Sequence, residues 1–263
     1  MEWVRAHSAD PAAIVFSPPL VGGNAVQQIK LFRPLVRSGY DLISYTYTGH
    51  RKVSGRFCLS GTLDTTREIL DQARTAATTA GLNLYGLGCC YGAIPLLYNA
   101  ARMPAAFHKL ILINPIVRLN LAESAGSFLA YYRRLVHQYR ILPGLRRALA
   151  SYLEFLFPHV PRRRGAFGEL QLNRLNVQRI FFDIMAFNPL MKGLAVEPPV
   201  LCLYGRKDRI LHLLSTRTRS RYENDIRSIC PLVTYYPVDG DHLLSTAGVR
   251  RKALNQLVHF LEA

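Results

Sequence analysis

At 263 residues and 49% apolar content, the chain can bury a full core, and one large α/β domain carrying an insertion is the simplest partition. No run approaches the roughly 20 apolar residues of a membrane-spanning helix, and Met1-Glu2-Trp3-Val4-Arg5 lacks a signal-peptide core, so a cytoplasmic location is expected. The net charge of +16 attracts polyanions, but no nucleic-acid recognition motif accompanies it, and nucleic acid is not expected as a partner.

Taken in order, Ala12–Ser17 is a short apolar run ended by Pro18-Pro19 and reads as a central strand. Asn24–Arg37 carries Val26, Ile29, Leu31, Phe32, Leu35 and Val36 at helical spacing, with Gly39 beyond its end. Asp41–Tyr47 is the next strand, and Thr48–Gly61 a loop. Thr65-x-x-Glu68 has capping-box spacing and opens a helix running to about Ala80, stopped by Gly81. Leu82–Leu87 reads as a buried strand and Tyr91 onward as a helix. Lys109–Asn114, Val200–Tyr204 and Leu232–Val238 are further strands, and Thr246–Leu261 a terminal helix. Strands alternating with helices predict a mostly parallel, doubly wound sheet formed by residues 1–117 and 198–263.

The alternation breaks over residues 118–197, where eleven Phe and Tyr residues lie among arginines, with twelve Lys and Arg against five Asp and Glu. This insertion is expected to be a helical lid. Tyr131–Tyr139 and Leu145–Phe157 mix aromatics with arginines as interfacial helices do, so peripheral membrane contact is a further expectation.

Gly88-Cys89-Cys90-Tyr91-Gly92, between the strand and helix of Leu82–Asn99, is G-x-S-x-G with cysteine in the serine place. A strand turning sharply into a helix leaves little room on either side of a nucleophile, and flanking glycines relieve the crowding. Cys90 is therefore the candidate nucleophile. A thiol needs a base, and His242 in Asp239-Gly240-Asp241-His242 follows a strand near the C-terminus. Asp208, in the loop after the preceding strand, is the candidate partner for its imidazole. The order Cys90, Asp208, His242 is nucleophile, acid, base. Asp183, Asp239 and Asp241 are competing acids, and His50 the second source of a histidine.

Five cysteines, an odd number, suggest no disulfide framework, and none has zinc-ligand spacing, so no metal is expected. Gly86-x-Gly88-x-x-x-Gly92 approaches a dinucleotide fingerprint, but its third glycine is one residue late and no acidic residue closes the next strand. No cofactor is expected.

On the residues Cys90, Asp208 and His242, the chain resembles the α/β-hydrolase fold superfamily with a cysteine nucleophile, as in dienelactone hydrolases, polyhydroxyalkanoate synthases and Cys-type thioesterases. The resemblance spans nearly the whole chain except the lid and matches no subfamily closely. It implies an oxyanion hole of two backbone N–H groups, from Tyr91 and from the loop Ser17–Gly23. Pro19 has no N–H, so Leu20 is the expected second donor. The implied activity is acyl-thioester hydrolysis or acyl transfer, with acyl-CoA or an acidic acyl carrier protein docking on the basic lid. An ester or lactone hydrolase, or a non-catalytic binding protein on the same fold, are the alternatives.

Overall fold

A computed structural model gives the fold and describes residues 1–8, 10–21, 23–50, 53–55, 57–118, 193–208, 219–242, 244 and 246–263, with isolated positions between 126 and 146 and between 183 and 186. The proposed lid, 118–197, and its two aromatic-arginine segments lie largely outside the described residues.

Among the described residues, seven strands form one sheet in the order β1-β3-β2-β4-β5-β6-β7. They are β1 (Glu2–Val4), β2 (Ala13–Phe16), β3 (Tyr40–Ser44), β4 (Leu84–Cys89), β5 (Lys109–Ile113), β6 (Val200–Gly205) and β7 (Val233–Val238). All neighbours pair parallel except β1, which lies antiparallel on β3. Among the described residues, the helices flanking the sheet are α1 (Ala25–Arg37), α2 (Leu59–Ala80), α3 (Ala93–Arg102), α4 (Arg219–Arg227) and α5 (Ala247–Glu262).

Period-two alternation divides the strand residues between two cores. Ile14, Phe16, Leu110, Leu112, Val200 and Cys202 face α2, α3 and α4. Ala13, Val15, Ile111, Ile113, Leu201 and Leu203 face α1 and α5. Both faces are buried, which is why these strands read as continuous apolar runs. Each fully buried aliphatic side chain contributes about 1.5–3 kcal/mol relative to exposure.

Two boundaries differ from the sequence expectations for identifiable reasons. β3 stops at Ser44 because its partner ends at the Phe16–Ile43 pair, and Tyr45 and Tyr47 then turn into the α2-side core. α2 begins six residues before Thr65. Cys58 caps it by accepting the Gly61 N–H at 3.4 Å, so Thr65-x-x-Glu68 lies inside the helix. The hydroxyls of Thr62 and Thr66 bond back to the carbonyls of Cys58 and Thr62, which lets these threonines sit buried in the helix. Pro95 is the third residue of α3, where a missing N–H removes no intrahelical bond.

The chain runs outward from β2 to β3, then crosses back to β4 on the other side of β2. The loops leaving β2 and β4 therefore diverge, and the crevice between them is where doubly wound sheets bind ligands. The pairs Cys89–Ile113, Ile113–Leu203 and Gly205–Val238 bring four strand ends to one edge. Among the described residues, no helix is long and apolar enough to cross a membrane.

Candidate active site

Cys90 sits where β4 gives way to a single 3-10 turn, Cys90–Gly92, ahead of α3. Its φ of +50° is left-handed backbone, which costs a non-glycine residue roughly 1–2 kcal/mol. The flanking glycines make that turn sterically feasible. A Cβ at Gly88 would lie 2.7 Å from the Cα of Ala93, and one at Gly92 would lie 2.7 Å from the Pro18 carbonyl oxygen. The half-buried Cys90 packs against both cores, at the rim of the sheet between them. Cys89 is buried, and burial together with the neighbouring Cys90 pushes its thiol pKa well up. Of the two adjacent cysteines, Cys90 is the accessible one.

Asp208 is fully buried and His242 nearly so, with 8% of its side chain exposed. His242 Nδ1 lies 2.6 Å from Asp208 Oδ2. Burial lowers the His242 pKa, but the Cys90 sulfur and the Asp208 carboxylate, by charge and by hydrogen bonds to the ring, outweigh it. The imidazole is held well above its ordinary value. With Nδ1 on Asp208, Nε2 is the atom left for Cys90. One ring thus links the two residues named from the sequence.

The acid and base loops are laced together by backbone contacts. Lys207 N–H donates to the Gly240 carbonyl at 2.9 Å and Arg206 N–H to the Val238 carbonyl at 2.8 Å. A Cβ at Gly205 would fall 2.4 Å from the Gly240 oxygen, so only glycine allows this approach.

Asn114, which the sequence reading treated only as the end of a strand, ties the two loops to β5. Its Nδ2 donates to the His242 carbonyl and its Oδ1 accepts from the Gly205 N–H, both at 2.7 Å. Its own N–H donates to the Leu203 carbonyl at 2.8 Å. It is buried at φ +45°, a conformation asparagine tolerates better than most residues. The signal available in sequence was Asn-Pro after an apolar strand, which is common to turns generally.

The loop after β2 is braced from several sides. Ser17 Oγ donates to the Leu87 carbonyl at 3.0 Å, Gln28 Nε2 donates to Ser17 Oγ at 2.8 Å, and Tyr47 OH donates to the Pro19 carbonyl at 3.0 Å. Leu20 is buried and its carbonyl accepts the Gly23 N–H at 2.9 Å. Pro18 and Pro19 pass directly over Gly92, which brings the Leu20 segment alongside the Cys90 turn. Tyr91 follows Cys90, its ring packed among Tyr47 and Phe57.

The competing residues stand elsewhere. Asp239 forms an exposed ion pair with Lys207 at 2.9 Å, and Asp241 is exposed. Asp183 is buried close enough to Tyr91 to act on its hydroxyl electrostatically. His50 is buried against Phe57 and Tyr47, and burial lowers its pKa. Among the described residues, no group of three or more His, Cys, Asp or Glu side chains is placed to hold a metal.

No family model and no curated protein matches the sequence. Solved structures do match over nearly the whole chain. A monoglyceride lipase from Saccharomyces cerevisiae superposes with a TM-score of 0.65 at 15% identity, covering 98% of this chain and 89% of its own. MenH from S. aureus gives 0.62 at 14% identity, covering 99% and 97%. The thioesterase domain from the curacin biosynthetic pathway gives 0.57 at 11% identity, covering 96% and 92%. At these identities the likeness speaks to architecture alone, and sheet order, elbow and neighbours agree: the chain has the α/β-hydrolase fold.

Proposed function

We propose that the protein is a cytoplasmic acyl-thioester-processing enzyme, a thioesterase or acyltransferase, that works through Cys90, His242 and Asp208. The observation that carries this reading is the 2.6 Å contact between His242 and Asp208, with the same imidazole acting on Cys90 in its strained turn. A thiol is a suitable nucleophile for a thioester, because one thioester replaces another with little thermodynamic penalty.

In the first step the Cys90 sulfur attacks the carbonyl carbon and its proton passes to His242 Nε2. The tetrahedral intermediate collapses as the carbon–sulfur bond to the carrier breaks, and His242 protonates the departing thiolate. In the second step His242 removes a proton from water or an acceptor hydroxyl or amine, which attacks the acyl-S-enzyme and releases Cys90. Asp208 orients the ring through Nδ1 and stabilises the imidazolium. The Tyr91 and Leu20 amides are assigned to the oxyanion, and the braced loop after β2 supports the assignment of Leu20.

The substrate class draws support from charge and from one structural neighbour, the thioesterase domain from the curacin biosynthetic pathway. A net charge of +16 favours anionic carriers, either CoA or an acidic acyl carrier protein docking on the basic residues of 118–197. Intact-mass spectra of quenched mixtures with acyl-CoA and acyl-carrier thioesters test the proposal. The wild type gains one acyl group, Cys90→Ala gains none, and His242→Ala holds its adduct longer because deacylation stalls. Turnover of small esters or lactones with no reaction on any thioester would assign the site to an ester hydrolase instead.

A further inference from the structure

Just past the end of β3, Tyr47 turns into the core on the α2 side and is fully buried. Tyr45, His50, Phe57 and Tyr91 pack around its ring at centroid distances of 5.3 to 6.0 Å, three of them edge to face. That packing aims the Tyr47 hydroxyl, which donates to the Pro19 carbonyl at 3.0 Å. Burial pushes its pKa well up, so it stays a neutral donor. The same Pro19 oxygen lies over the nucleophile turn, where a Cβ at Gly92 would stand 3.0 Å from it.

We infer that Tyr47 is the positioning residue of the oxyanion hole: it sets the direction of the Leu20 N–H and packs on Tyr91, the residue of the other donor. The inference rests on the acyl-enzyme route through Cys90 proposed above, and it adds a residue that the route does not name. Peptide geometry carries the first half. The Pro19 carbonyl and the Leu20 N–H belong to one planar group, and the bond between them is trans. In a trans group the two point in opposite directions. With the carbonyl held on Tyr47 in the α2-side core, the Leu20 N–H turns away from that core, to the side where Leu20 lines a pocket with Cys90 and His242. Among the described residues the Leu20 N–H donates to no carbonyl, so it is open to an incoming oxygen. The Leu20 carbonyl accepts the Gly23 N–H at 2.9 Å, so the peptide planes on both sides of this residue are held. Ser17 and Gln28 brace the base of the loop through the Leu87 carbonyl, not through the Pro19–Leu20 peptide.

Packing carries the second half. The Tyr91 ring meets the Tyr47 ring edge-on, at 6.0 Å and 88°. Tyr91 lies in the first turn after the strand, where an amide has no intrahelical acceptor. One side chain thus braces both residues whose amides are assigned to the oxyanion.

The test separates two reactions of one sulfur. Acylation by a thioester builds an oxyanion, whereas alkylation by iodoacetamide displaces iodide from a saturated carbon and builds none. Both need the Cys90 thiolate. Tyr47→Phe keeps the ring and removes only the hydroxyl. Acylation of this full-length variant by the butyryl thioester of N-acetylcysteamine, read by intact mass at saturation, should slow about ten- to a hundredfold, short of the roughly hundred- to thousandfold cost of losing one oxyanion donor outright. Its half-saturating concentration and its rate of Cys90 alkylation should stay near the wild-type values. Tyr45→Phe is the control: it removes a buried hydroxyl of the same cluster whose partner is Thr66 and not the loop, and both rates should hold. Circular dichroism confirms that the variants are folded. A second measurement uses the wild type alone, with isotope-labelled leucine. Binding of a trifluoromethyl ketone at Cys90 should move the Leu20 amide proton downfield, because the N–H then meets the hemithioketal oxyanion. Equal losses of acylation and alkylation in folded Tyr47→Phe, no loss in either, or a Leu20 amide unmoved by the ketone adduct would overturn the inference while leaving Cys90 as nucleophile. No acylation of wild type by any thioester would instead overturn the proposed function, and this inference with it.

Discussion

At the scale of single residues, the site depends on one histidine whose charged form two neighbours favour. The sign of the resulting pH dependence follows from the direction of the shift. The folded-state pKa of His242 lies above its unfolded value, so the stabilisation it provides is complete below the unfolded pKa of about 6.5 and is lost as pH rises through the folded value. Asp208→Asn removes one of the two groups that hold it there. The melting-temperature difference between wild type and Asp208→Asn should therefore be larger near pH 6 than near pH 9, and equal differences at the two pH values would contradict the coupling. The pairing of Asp208 with His242 was readable from chain order, because an acid after one strand and a base after the next is a property of topology. Leu20 is expected as the second amide because Pro19 has no N–H, but the packing of Pro18 and Pro19 over Gly92, which brings its segment alongside the Cys90 turn, leaves no pattern in the sequence.

At the scale of elements, the elbow and the loops around it are held by close backbone approaches. Gly88→Ala would press a methyl group to 2.7 Å from the backbone of Ala93, so it should destabilise the protein by about 1–3 kcal/mol. Gly248→Ala, with nothing within 4 Å, is the control and should be nearly neutral in denaturant titration. Asn114 acts on the site through its two loops. Asn114→Ala leaves the Gly205 N–H and the His242 carbonyl without their partners, at about 1–3 kcal/mol for each buried group. Acylation should slow at saturating substrate with KM little changed, since the loss is in orientation of His242 and not in binding. Asn114→Asp keeps the acceptor for Gly205 but sets a buried carboxylate oxygen against the His242 carbonyl, so it should be at least as destabilised as Asn114→Ala.

Most elements were legible because both faces of the sheet are buried and the strands are uninterrupted apolar runs. The exceptions are physical ones. α4 is nearly all polar, with only Tyr222 and Ile226 buried, so too few apolar positions mark its face. β1 is three residues long and pairs only at one edge. The start of α2 was hidden because cysteine is an uncommon cap and a better capping pattern stands inside the helix.

At the scale of the whole molecule, the excess of positive charge is the feature the fold does not explain. If it serves to attract acidic carriers, acylation by an acyl carrier protein thioester should weaken steeply as ionic strength rises, because screening shortens the field from about 10 Å at 0.1 M salt to about 3 Å at 1 M. Acylation by the N-acetylcysteamine thioester of the same acyl group should change little over that range. Parallel salt dependences for the two donors would remove the electrostatic role.

The most direct measurement is the intact mass of the wild type and of Cys90→Ala after brief exposure to a butyryl thioester and acid quench. The account predicts one added butyryl group on the wild type, mapped by peptide analysis to Cys90, and none on the variant. An adduct that persists in Cys90→Ala, or a wild type that stays unmodified by every thioester offered, would contradict it.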